Sequence, residues 1–204
     1  LAEAGARVAL VERGALSDMA EAGFDGRGSA IAAGSQRILA GLGLWDRIAA
    51  EAEPILEIRV ADGASPLFLH YDHREIGDGP LGWIVENAVT RRALAAAVDG
   101  ADLDVFDGTE IIGPEFGPDD AVLNLSDGRQ VSARLVVAAD GRDSPLRAVA
   151  SIETVQWRYA QTGIVCAVHH EAPHHGVAQE HFLPSGPFAI LPMTRNRSSI
   201  VWTE

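Results

Sequence analysis

The chain has 204 residues, 47% hydrophobic and 22% charged, with a formal net charge of −13, which is ample apolar content for one large packed domain or parts of two. The acidic balance argues against a nucleic-acid surface and a polybasic membrane patch, because phosphate backbones and anionic lipids select clusters of Lys and Arg. A single cysteine, Cys166, excludes a disulfide framework within the chain and suits a reducing, cytoplasmic setting, and no apolar run approaches the roughly 18 residues that span a bilayer.

In chain order, Leu1-Ala2-Glu3-Ala4-Gly5 has the form of the last turn of a helix with a glycine cap, and Ala6 to Glu12 that of a short apolar strand ending on an acid. In dinucleotide-binding βαβ units such an acid binds the adenosine ribose about 20 residues after a Gly-x-Gly-x-x-Gly turn. That turn would fall before Leu1, so the sequence reads as a fragment lacking its first strand and phosphate loop. Taken alone, the segment is also compatible with an ordinary αβ unit bearing a surface glutamate. Phe24 to Ile31 reads as a polar, glycine-rich loop leading into a helix near Gly34 to Leu42. Arg27 in that loop suits a phosphate or a flavin edge, or simply a solvated turn. Gly41 to Ile48 predicts a helix break and a second short helix.

The alternation of Ile58, Val60, Leu67 and Leu69 about Asp62-Gly63 predicts a hairpin within Ile55 to Tyr71. Gly82 to Asn87 is a strand end, followed by an alanine-rich helix over Ala88 to Val98 that carries Arg91 and Arg92. Strands are expected at Leu103 to Phe106, Glu110 to Phe116 and Ala121 to Leu125. Asp127-Gly128 then turns into a strand whose apolar run, Leu135 to Ala139, reads as buried and stops on Asp140-Gly141. Gly141 permits a tight turn, and Asp143 or Ser144 with Pro145 supplies helix-start chemistry. At the C-terminal lip of a strand in an open α/β sheet, Asp140 can accept hydrogen bonds from ribose hydroxyls, although many strands end in Asp-Gly for turn reasons alone. Beyond Ala150 the pattern becomes mostly β, at Trp157 to His169, Val177 to Leu183, Phe188 to Leu191 and Ser198 to Trp202.

His169, His170, His174 and His175 bracket Pro173, and His70 and His73 flank Tyr71-Asp72. The His169 to His175 cluster lies between two strands without a cysteine or a well-spaced carboxylate, so a solvated turn is the simpler account, and no metal is expected. There is no Gly-x-Ser-x-Gly elbow and no nucleophile triad, which argues against hydrolysis.

Asp140-Gly141 after an apolar strand, with Ser144 and Arg147 following, resembles the Asp-Gly motif of class A FAD-dependent aromatic monooxygenases, the p-hydroxybenzoate hydroxylase-like group. Phe182-Leu183-Pro184-Ser185-Gly186-Pro187-Phe188-Ala189-Ile190-Leu191-Pro192-Met193, followed by Ser199-Ile200-Val201-Trp202, is similar to the signature of the UbiH, UbiF and VisC-type ubiquinone-biosynthesis hydroxylases. Asp25-Gly26-Arg27 through Gly34-Ser35, Leu42-Gly43-Leu44-Trp45 and Val85-Glu86-Asn87 fall where that branch has matching segments.

The resemblance implies an α/β fold: an FAD-binding Rossmann-like, three-layer domain, truncated at its N-terminus, with a β-sheet-rich substrate domain. Residues 1–54 and 80–150 would form the FAD-binding domain, and 55–79 and 151–204 the substrate-domain segments. It implies that Glu12 binds the adenosine ribose of FAD and that Arg27 contacts the flavin or pyrophosphate. Glu86 and Arg92 would face the cofactor, and Asp140 and Gly141 would lie near the pyrophosphate and ribitol, with NAD(P)H as co-substrate. Phe188, Ile190, Leu191 and Pro192 would border the substrate cavity, or serve only as sheet core. No side chain is assigned to catalysis, because in this family the cofactor carries the difficult step. The implied reaction is hydroxylation by O2 of a polyprenylated phenol or benzoquinol ring in ubiquinone biosynthesis. A lipid-tailed substrate is compatible with peripheral contact with the inner membrane or with a biosynthetic complex. Lacking the glycine loop and a later Gly-Asp segment, the fragment itself is expected to bind FAD weakly or not at all and to be inactive. The alternatives are a non-catalytic FAD-fold accessory protein of a biosynthetic complex, or another flavin oxidoreductase on the same scaffold.

Overall fold

Gly5 adopts a left-handed conformation (φ 79°) and closes a 3-10 turn over Ala2–Ala4 by donating its amide to the Ala2 carbonyl, so the chain enters its first strand through a glycine cap. The structure is a computed structural model that describes residues 1–204. In chain order its elements are β1 (Ala9–Glu12), α1 (Leu16–Glu21), β2 (Gly28–Ala32), α2 (Ala33–Gly41), β3 (Ala52–Ile55), β4 (Glu57–Asp62), β5 (Phe68–Asp72), α3 (His73–Ile76), β6 (Gly82–Glu86) and α4 (Asn87–Asp99). They continue with β7 (Asp104–Asp107), β8 (Ile111–Phe116), β9 (Ala121–Leu125), β10 (Gln130–Ala133), α5 (Pro145–Val149), β11 (Gly163–His169), β12 (Val177–Leu183), β13 (Gly186–Met193) and β14 (Arg197–Thr203). No helix is long and apolar enough to cross a membrane. The fold is mixed α/β, as expected.

Packing divides the chain into two compact units, Leu1–Asp18 with Gly100–Tyr159, and Met19–Asp99 with Ala160–Glu204. In the first, β1 runs parallel to β7 from Ala9 opposite Asp104 to Glu12 opposite Asp107. The strands β8, β9 and β10 form an antiparallel meander. Its core is Leu123, Leu125 and Val131, joined by Val11, Phe106, Ile111 and Val136. The expected buried strand over Leu135 to Ala139 does not form. Pairing of β10 ends where Ala133 meets Ala121, the first residue of β9, so the chain runs on past the end of its partner. With no neighbour to pair with, residues 135–139 lie outside any ladder. Leu135 is 72% and Val137 64% exposed, and only Val136 turns inward.

The second unit holds a three-stranded antiparallel sheet, β2-β6-β3, and a six-stranded sheet in the order β11-β14-β13-β12-β4-β5, in which only the β12–β4 pair is parallel. Strand β6 alternates between two cores, as its period of two requires. Val85 packs with Ile48, Val89 and Ala93 under α4, whereas Ile84 packs with Ile55, Ala178 and Met193 of the larger sheet. Two glycines let β2 and β6 lie close together. A Cβ on Gly82 would sit 2.7 Å from the Ile31 carbonyl oxygen, and one on Gly28 would sit 3.1 Å from Ile84 Cγ2. For this reason Gly28 to Ile31, expected as loop, is strand. Strand β11 starts at Gly163, opposite Thr203 at the end of β14, so Trp157 and Tyr159 lie outside the sheet and are exposed. Sharing of the Ile84–Met193 core places residues 19–54 and 80–99 in the sheet-rich unit, so the compact units divide the chain at other points than the expected 1–54 and 80–150.

Candidate functional site

In the first unit, Glu12 ends β1, and its Oε1 accepts the Gly14 amide at 2.9 Å. Beside it Asp107, at the end of β7, accepts the amide of Leu16 at the start of α1 (2.9 Å). Gly141 has φ 91°, a left-handed conformation that accounts for glycine after the aspartate. Ser144 caps α5 by accepting the Arg147 amide at 3.0 Å, with Pro145 in the first turn. Asp140 accepts the Leu146 amide at 3.2 Å. The Ser144 hydroxyl first, and then that amide, hold its carboxyl below the usual carboxylate range. Gly141, Ser144 and Arg147 line an open cavity of about 380 Å3 with Val136, Ala138 and Phe116.

In the second unit, the loop ahead of β2 is organised by Asp25. It accepts the backbone amide of Arg27 (3.1 Å), Arg27 Nη2 (2.8 Å) and both terminal nitrogens of Arg91 (3.3 and 3.2 Å). Its carboxyl is lowered, chiefly by Arg27 and further by Arg91. Two guanidinium ions thus share one carboxylate, which leaves a surplus positive charge. Arg91 Nε is buried without a hydrogen-bond partner. Asn87, the first residue of α4, donates its amide to the Arg27 carbonyl (3.1 Å) and accepts the Ser29 hydroxyl (2.7 Å). Asn87 and Arg91, one turn apart, therefore present the same face of α4 to the loop. Arg92 points elsewhere and pairs with Glu51 at 2.5 Å. The sequence places Arg91 on this helix without giving it a role, and the structure sets it on Asp25. Its signal in the sequence is the four-residue spacing from Asn87, which directly follows β6.

Glu86 does not stand free, because its carboxylate is paired with the Arg197 guanidinium in a largely buried contact. On β13, strand alternation divides the expected cavity residues. Phe188, Ile190 and Pro192 share one face, with the Phe188 ring edge-on to Trp202 at 6.0 Å between centroids. Leu191 faces the opposite way, toward the Ile84–Met193 core.

The histidines have other partners. His174 Nδ1 accepts the Gly176 amide, so Nε2 carries the proton and donates to the Met193 carbonyl, each at 3.0 Å. His170 lies against the Ala172 carbonyl through Nδ1 and the Ser198 hydroxyl through Nε2. His70 comes within ion-sharing distance of Glu57 and Asp72, but Arg59 and Arg74 hold those two carboxylates.

A pyrophosphate needs cations and donors that are not already neutralised. The Asp25–Arg27–Arg91 cluster, with its surplus charge and the orphaned Arg91 Nε, fits that need. Comparison with known proteins identifies the family. The family model for the FAD binding domain matches residues 1–203. The ubiquinone hydroxylase UbiL of Rhodospirillum rubrum is 47% identical over 210 residues, covering all of this chain and 48% of that protein. The mitochondrial ubiquinone biosynthesis monooxygenase COQ6 of Xenopus tropicalis is 32% identical over 192 residues, covering 88% of this chain and 41% of that protein. The chain thus spans about half the length of the curated relatives it matches. Pseudomonas aeruginosa PqsL, solved in complex with 2-aminobenzoylacetate, shares the fold with a TM-score of 0.79 at 18% identity, over 99% of this chain and 55% of that one.

Proposed function

Since the chain belongs to the FAD-binding-domain family, we propose that it forms part of a flavin monooxygenase that hydroxylates the ring of a polyprenylated phenol or benzoquinol in ubiquinone biosynthesis. NAD(P)H and O2 are its co-substrates. The observation that carries the cofactor assignment is the sharing of Asp25 by Arg27 and Arg91; the substrate class rests on the likeness to UbiL and COQ6. Bound FAD supplies the redox chemistry, passing electrons from NAD(P)H to O2 so that one oxygen atom enters an electron-rich ring and the other leaves as water.

The chain's own residues bind and orient. Arg27 and Arg91 neutralise the pyrophosphate. Glu12 accepts from the adenosine ribose through the oxygen not used by Gly14. Gly141, without a Cβ, lets backbone approach the cofactor beside Asp140. Phe188 and Ile190 offer an apolar wall to the ring and exclude water from it, and Pro192, on the same face of β13, is fully buried. Leu191 supports that wall from behind. The protein acts in the cytoplasm, with peripheral contact with the inner membrane or a biosynthetic complex serving the lipid tail. In the natural polypeptide that carries these residues, NAD(P)H-driven oxygen uptake should rise on addition of a prenylated phenol and yield hydroxylated product. FAD binding without such turnover would instead identify a non-catalytic accessory protein, and the enzyme assignment would fall.

A further inference from the structure

Arg197 opens β14 just after an unusual turn. Arg195 (φ 63°) and Asn196 (φ 55°) are both left-handed, within the three-residue connection, Thr194 to Asn196, that joins Met193 to its pairing partner Arg197. Residues other than glycine rarely hold that conformation, so the surroundings must fix it. Asn196 does so in part, through Nδ2 to the carbonyls of His170 and Glu171. The turn delivers Arg197 to three partners at once. Its Nε donates to the Thr194 carbonyl at 3.2 Å. Its Nη2 pairs with the Glu86 carboxylate, the two side chains being 16% and 11% exposed. Its guanidinium lies over the Phe24 ring, 4.9 Å from the centroid.

Phe24 precedes the Asp25–Arg27 loop directly. Glu86 ends β6, pairs through its backbone with Gly28, and is followed by Asn87, which holds the Arg27 carbonyl. Arg197 therefore grips the arginine loop from both sides. It does so from β14, which pairs with the β13 strand bearing Phe188, Ile190 and Pro192.

We infer that Arg197 is a positioning residue: through Glu86 and Phe24 it fixes the Phe24–Arg27 loop to the β13–β14 hairpin, so that the cofactor loop and the aromatic-binding sheet are set in register by one side chain. The inference rests on the flavin reading above for its functional meaning. A pair that serves only for folding can be replaced by apolar groups with little loss, whereas deletion of one partner leaves a buried charge.

The test compares Arg197→Met, Arg197→Lys and the double variant Glu86→Leu/Arg197→Met in the natural polypeptide, by thermal melting and by flavin-fluorescence titration with FAD. Arg197→Met should lower both stability and affinity. The double variant should melt close to the parent yet bind FAD about tenfold more weakly, a loss within the range of coupling between contacting residues. Arg197→Lys, which cannot pair and stack together, should fall between them. Recovery of FAD affinity along with melting temperature in the double variant would overturn the inference. If the parent binds no FAD, the flavin reading fails separately. Hydrogen exchange at Arg27 and Gly28 then decides: faster in the double variant supports the grip, and unchanged exchange refutes it.

Discussion

Asp140 and Asp25 are both carboxylates held below their usual range, yet they are held in different ways. Asp140 is stabilised by uncharged donors within six residues, the Ser144 hydroxyl and the Leu146 amide. Asp25 is stabilised chiefly by guanidinium ions, one of them 66 residues away. The first makes a self-sufficient turn whose geometry comes before any ligand. The second makes a charged node that is incomplete in itself, because its cations outnumber its anion. A turn positions backbone; a node with surplus charge recruits an anion.

The largest expected effect comes from breaking the node. Arg91→Ala should weaken FAD binding by about ten- to a hundredfold, as charged hydrogen bonds contribute roughly 1.5–3 kcal/mol. Arg92→Ala, which removes an exposed pair with Glu51, should change it less than about twofold. Equal losses in a fluorescence titration would return the role to Arg92. A smaller effect should follow from breaking the turn. Gly141→Val forces a β-branched residue to a φ near 91°, costing on the order of 1–2 kcal/mol, to be read as a lower urea midpoint for the Asp140–Val149 segment. An unchanged midpoint would mean that the turn relaxes freely.

The smallest effect sharpens the distinction between the two carboxylates. Asp25, Asp140 and Asp127, the last pulled to about 2 by Arg129, all have depressed values in the fold. Their stabilisation is therefore complete above the unfolded value near 3.9 and is lost as pH falls through the folded value, about 2 for Asp127. In about 1 M salt, where screening extends to roughly 3 Å, carboxyl resonances of Asp25 and Asp127 should titrate at higher pH, while that of Asp140 should move little. A comparable shift at Asp140 would show that Arg147, rather than its neutral donors, sets its value.

What could be read from the chain follows the same divide. The Gly5 cap, the Asp62-Gly63 hairpin, β9 and the Ser144-Pro145 helix start rest on neighbours in sequence, and their residues announce them. The Leu135–Ala139 run has the composition of a buried strand, but burial depends on a partner, and the ladder runs out at Ala133. Gly28 looked like loop because glycine usually marks one, whereas here it allows two strands to approach. Arg91 and Arg92 are adjacent in the chain, and only the helix face separates them, placing Arg91 on Asp25 and Arg92 on Glu51. Phe188 to Pro192 read as one wall until strand pleating sent Leu191 behind it.

The two-faced packing of β6 bears on how the sheet-rich unit comes apart. Since Val85 belongs to the core under α4 and Ile84 to the core of the larger sheet, neither core can open while the other keeps its lining. Heat or denaturant acting on either sheet is therefore expected to take both, with the three-stranded and six-stranded layers melting together and β6 as the party wall between them.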